Sequence, residues 1–145
     1  MNLPPDGPRG TPVIDVQFDR PGRRYDAAAP LAVRCHVDGV DPDAVRAIEL
    51  SVAWYTEGKG EEDLAVHAFE RIVEPDALRA ALADHAYETR LPPSPLTYEG
   101  VIVKIRWCVR VRIFFIGGRD YVSEHEFEMG RVPPARPPVI PEAAP

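Results

Sequence analysis

Apolar and polar residues alternate with period two along most of this chain, the mark of strands with one buried and one exposed face. In the longest run, Val101, Val103, Ile105, Trp107, Val109 and Val111 alternate with Ile102, Lys104, Arg106, Cys108, Arg110 and Arg112. One face of that strand is apolar and the other mostly basic. Shorter runs predict strands at 13–18, with Ile14, Val16 and Phe18 on one face, and at 31–37, 47–56, 64–74, 87–91 and 120–129. Turn signals separate them: a loop over 20–30 with Pro21, Gly22 and Pro30, the turn DGVDPD at 38–43, and the charged hairpin loop EGKGEED at 57–63. Only residues 75–84, PDALRAALAD, have helical composition. Leu78, Leu82 and the alanines give a short amphipathic face, and Pro75 suits a first helical turn. About ten residues are marginal as an isolated helix, so the stretch reads as a short helix or an irregular crossover on a sheet edge. About seven to eight strands joined by short turns predict an all-β chain, an antiparallel immunoglobulin-like β-sandwich.

The basic face has a partner in the sequence. The last strand, YVSEHEFEM, sets Glu124, Glu126 and Glu128 on one face. A two-residue turn at Gly117-Gly118 would place Glu124 opposite Val111 and Glu126 opposite Val109, driving carboxylates onto the apolar face. A three-residue loop over 117–119 sets Arg112 opposite Glu124, Arg110 opposite Glu126, Val109 opposite Phe127, Val111 opposite His125 and Trp107 opposite Met129. Cross-strand ion pairs contribute roughly 0.2–1 kcal/mol each, whereas burying an unpaired carboxylate costs several kcal/mol. The penalty decides, and the three-residue loop is expected.

Composition narrows the function classes. A chain of 145 residues suits one domain, and it can bury roughly 70% of its unfolded surface without metal or disulfide staples. Both ends are proline-rich, and residues 1–12 and 132–145 read as tails around a folded domain over 13–131. The net charge of −6 argues against a general nucleic-acid binder. No stretch approaches the roughly 20 apolar residues of a membrane span, and the first ten residues lack the apolar core of a signal peptide. The two cysteines are too few for a disulfide framework, and their strand parities differ: Cys35 shares a face with Leu31, Val33 and Val37, whereas Cys108 lies on the charged face. Two unpaired thiols suit a reducing compartment, and a cytoplasmic location is expected. Arginine-rich, lysine-poor usage points to a GC-rich bacterial genome.

Candidate chemistry is sparse. His36, His67, His85 and His125 lack metal-ligand spacing and no Cys-x-x-Cys occurs, so no metal or other cofactor is expected. Gly58-Lys59-Gly60 lacks the glycine, context and hydroxyl residue of a phosphate loop. No catalytic constellation stands out, and an enzyme is not expected. The stripe Lys104, Arg106, Arg110 and Arg112 is the one candidate binding surface, for an anion or small ligand. The competing reading is a solvated sheet face neutralised by glutamates. The prolines of the last fourteen residues, spaced as Pro134-x-x-Pro137 and Pro138-x-x-Pro141, could dock as a polyproline ligand, but a stiff linker or frayed tail is the plainer reading.

One segment adds a resemblance. Leu91-Pro92, Pro93 and Pro95, Thr97-Tyr98 and Gly100 lead into Ile105-Arg106-Trp107-Cys108-Val109-Arg110-Val111. With Trp54 upstream and Glu126-Phe127-Glu128-Met129-Gly130 at the close, this resembles the arrestin family, whose members include trafficking adaptors, retromer-type subunits and bacterial sporulation-control proteins. The resemblance implies an immunoglobulin-like sandwich working without catalysis as an adaptor or scaffold for a protein partner. Arrestins proper carry two such sandwiches, and this length holds one. The alternatives are an anion- or small-ligand-binding sandwich using the basic face, or a structural subunit of a larger assembly. Independently of the family, the prolines mark a crossover or edge, Gly100 permits a tight entry bend, and Trp107 supplies a large core anchor.

Overall fold

The computed structural model describes residues 11–58, 60 and 62–130. The tails read from the sequence at 1–12 and 132–145 lie, but for residues 11 and 12, outside the described residues. Nine strands and one helix follow in order: β1 (Val13–Phe18), β2 (Arg24–Tyr25), β3 (Pro30–Asp38), β4 (Val45–Gly58), β5 (Leu64–Ile72), α1 (Pro75–Ala83), β6 (His85–Arg90), β7 (Tyr98–Glu99), β8 (Val103–Phe115) and β9 (Asp120–Met129). A small sheet runs β1-β3-β6 and a large one β2-β9-β8-β4-β5, with the short β7 also paired to β8. All pairs are antiparallel except β2 with β9.

Period-two patterning builds the core. From the small sheet, Val16, Leu31, Val33, Cys35 and Val37 are buried; from the large one, Ile48, Leu50, Val52, Trp107, Val109, Val111, Ile113, Phe127 and Met129. Each fully buried aliphatic side chain contributes about 1.5–3 kcal/mol. The rings of Phe18, Tyr25, Trp107 and Phe127 pack at one end, with Tyr25 edge-on to Phe127 at a centroid distance of 5.6 Å. Helix α1 carries the chain from the large sheet to the small one. The Glu74 carboxylate accepts from the amides of Asp76 and Ala77, Pro75 follows at the first turn, and Leu78, Ala81 and Leu82 are buried.

The proline segment carries the chain back. Leu91 is buried, with its amide bonded to the Ala29 carbonyl; the Thr97 amide bonds the Met129 carbonyl, and the Met129 amide bonds the Thr97 hydroxyl. The Trp107 indole N–H donates to the Pro95 carbonyl at 2.7 Å. Gly100 forms the expected bend: its amide bonds the Val103 carbonyl, and a Cβ there would lie 2.3 Å from that oxygen. At the opposite end Thr11 and Pro12 border a cleft with Gly39, Val40 and Asp41 and with the start of β9.

Several sequence expectations need correction. The last hairpin has a three-residue loop, but over 116–118, closed by the Phe115 amide on the Arg119 carbonyl. The register is therefore slid by two: Arg110 faces Glu124, Arg112 faces Val122, Trp107 faces Phe127 and Val109 faces His125. A slide of two keeps every side chain on its expected face, because parity alone is enforced by the burial penalty. Strand β8 begins at Val103, two residues late, leaving Val101 and Ile102 in an exposed bend. Strand β5 ends at Ile72, since Glu74 is needed as the helix cap, and β6 begins at His85. Two-residue strands, β2 inside the 20–30 loop and β7 at Tyr98–Glu99, join the seven long strands and bring the number to nine among the described residues. Cys108 lies on the charged face yet is fully buried, paired between Ala53 and Glu126 under longer neighbours.

Candidate functional site

The four basic candidates share the outward face of β8, and each meets a carboxylate there. Lys104 lies 3.5 Å from Glu99. Arg106 reaches Glu57 at 2.9 Å, Glu99 at 3.1 Å and Glu126 at 3.6 Å. Arg110 lies 3.6 Å from Glu124, and its buried Nε has no hydrogen-bond partner. The Arg112 Nε donates to Asp120 at 2.8 Å. Strand pairing explains the pattern: β4, β7 and β9 flank β8 and supply the acids from positions of matching parity. Glu57 holds the Arg106 guanidinium more firmly protonated than usual. Desolvation by burial pushes the Cys108 thiol up to about 12.

The histidines are dispersed. His36 sits 2.9 Å from Asp38 and bonds the Ala83 carbonyl at 2.8 Å. His67 bonds the Arg90 carbonyl at 2.7 Å and stands edge-on to Trp107. His85 pairs with Glu70. His125 is half-buried beside the Ser123 hydroxyl, and burial lowers its pKa.

A third feature is nearly silent in the sequence. Strand β5 is the free edge of the large sheet, with β4 as its only strand partner among the described residues. On the outward side Leu64, Val66 and Phe69 stand opposite Tyr55, Ala53 and Ser51, and all three are more than half exposed. A bulge between the Ala68 and Val66 pairings, at His67, divides the strand. Beyond it, α1 packs over β3 and β4 and leaves a cleft of about 510 Å³ between itself and the β5 edge. Residues 70–74 form one wall. Ala77, Ala80 and Ala81 form the other, with Asp84 and His85 at the end. Spacing of i, i+3, i+4 puts the three alanines on one helical face, and their small side chains keep the cleft open. That spacing is the only local signal, and only the placement of α1 against an unpaired strand gives it meaning.

No family model matches the chain, and no curated protein matches it. Among solved structures it is similar to Spo0M, a sporulation control protein from Bacillus subtilis, with a TM-score of 0.55 and 16% sequence identity. The similarity covers 86% of this chain and 51% of that one, so the chain spans about half the length of that protein. At such identity the likeness speaks of architecture alone. Two facing sheets, the proline-threaded crossover into β8 and this structural match together define the chain as an arrestin-like β-sandwich.

Proposed function

We propose that this sandwich is a non-catalytic interaction module, an adaptor or scaffold for a protein partner in a bacterial cytoplasm. The observation that carries the reading is the free β5 edge, flanked outward by exposed Leu64, Val66 and Phe69. An unpaired strand edge offers amide and carbonyl groups to an extended segment of another protein, and the apolar side chains beside it add affinity. The arrestin-like fold, often a platform for protein contacts, supports the same reading. The test is photo-crosslinking in cells of the source organism, with a photoreactive residue at position 66 and a control at exposed position 15 of β1. A discrete protein adduct specific to position 66 is expected. Adducts equal at both positions, or turnover of a substrate by the purified protein, would overturn the reading.

A second reading keeps Lys104, Arg106, Arg110 and Arg112 as an anion site, favoured by the Arg110 Nε, which lies 3.6 Å from Glu124 without a hydrogen bond. Flanking carboxylates oppose it, because an incoming anion must displace them. Salt-sensitive binding of inorganic phosphate, lost in Arg110→Glu with the fold intact, would establish it. No binding at low salt would remove it.

A further inference from the structure

The cleft between β5 and α1 specifies more than a free edge. We infer that it receives an extended segment of a partner protein that adds as a strand along residues 68–73, placing small apolar side chains against the α1 alanines and basic side chains at its ends. This rests on the interaction-module reading and names the place and the chemistry of the partner.

Three observations carry it. First, the edge beyond the His67 bulge is uninterrupted and borders a concavity, so an added strand would gain ladder hydrogen bonds on one side and side-chain contact on the other. Secondly, Ile72, Ala77, Ala80 and Ala81 line the cleft with apolar surface, and the alanines leave room for valine-sized side chains projecting every second residue. Thirdly, the rim is acidic. Glu70, Glu74 and Asp84 border the cleft, while its Arg71 is held by Glu49 on the outward face and its His85 by Glu70. Asp84 is partnered by Arg34, whose Nε donates to it at 3.2 Å. Glu74, whose carboxylate also caps α1, and Glu70, which also pairs with His85, would be complemented by lysine or arginine at the ends of the incoming strand.

The same charge pattern selects against a second copy of this chain as the occupant. Antiparallel pairing of two β5 edges over 68–72 would set Glu70 of one copy directly opposite Glu70 of the other, and like charges facing across a strand pair are destabilising. The other edges fit less well. Strand β9 is clipped at Glu128 and Met129 by β2, and the Arg23 guanidinium donates to its Glu126 carbonyl at 3.4 Å. Among the described residues β1 lends nothing to this cleft and β6 lends only His85.

The test uses the full chain, labelled with ¹⁵N, and a nine-residue peptide with lysine at both ends, valine at the third, fifth and seventh positions and threonine between. Amide shifts confined to 68–73 and 77–85 are expected. Affinity should fall by about tenfold in Ala80→Arg, which fills the cleft from an exposed helix position, and similarly when glutamates replace the peptide lysines. Ala77→Arg serves as a second cleft-filling variant should Ala80→Arg unfold. Shifts centred on β1, β6 or β9, or affinity indifferent to both arginine variants, would overturn the cleft while leaving an interaction module standing. Absence of any shift at millimolar peptide would overturn the cleft as well. Failure of the module itself would appear separately, as uniform crosslinking in cells.

Discussion

The indole N–H of Trp107 donates to the carbonyl of Pro95, twelve residues earlier, at 2.7 Å. This bond ties the proline crossover to the centre of β8, so one side chain holds both the core and the route by which the chain returns to the large sheet. Replacing Trp107 with Phe removes the donor, strands the carbonyl and leaves a void. A loss of about 2–4 kcal/mol is expected, read from urea unfolding. A loss below 1 kcal/mol would show that the crossover is held by its other contacts.

Arg110 and Glu124 face each other across the β8–β9 ladder. Either Arg110→Glu or Glu124→Arg alone opposes like charges, and the exchanged double variant restores an opposite pair. A double-mutant cycle should return a coupling of about 0.2–1 kcal/mol, falling as salt rises. Zero coupling would mean that the pair adds nothing to stability across the ladder.

Both cysteines are free and buried, and burial drives their thiols up to about 11 for Cys35 and about 12 for Cys108. At pH 8 no more than roughly one in a thousand is thiolate, the reactive form. Neither thiol should react with an aromatic disulfide reagent in the native protein within minutes, and two should react in urea. Fast labelling of one thiol in the native state would contradict the packing over it.

Two histidines should give stability opposite pH dependences. Burial lowers His125 below 6.5, so its contribution is present above 6.5 and is lost as pH falls through the lower folded value. The Ala83 carbonyl and the Asp38 carboxylate raise His36 above 6.5, so its contribution is full below 6.5 and is lost as pH rises through the higher folded value. Thermal melts from pH 5 to 8 should show less acid loss in His125→Gln and less alkaline loss in His36→Gln. Parallel profiles in wild type and both variants would refute these assignments.

Much of this architecture is legible in the residues. Alternation located β1 and β9 to the residue, and Pro75 marked the start of α1, because both signals are local. Parity of the last hairpin was legible too, since burying Glu124 or Glu126 is costly. Its register was not, because a slide of two residues leaves both faces unchanged. Val101 and Ile102 continue the alternation past the point where the sheet ends, and composition cannot mark that limit. Strand β2 is two residues whose pairing with β9 spans more than a hundred positions. The β5–α1 cleft depends on where a helix settles relative to an unpaired edge, a tertiary fact with only a faint alanine spacing beneath it.

Strand β1 begins beside the turn at 39–41 and the start of β9, whereas β9 ends beside Thr97 and Tyr25 at the far end. The chain therefore enters and leaves the sandwich at opposite poles, separated by the nine-residue rise of β9, about 30 Å. Domains joined before Val13 and after Met129 would be held apart along the sandwich's long axis, and pulling on them would load the strands lengthwise, in shear. Circular permutation would need a linker of about ten extended residues to close the gap.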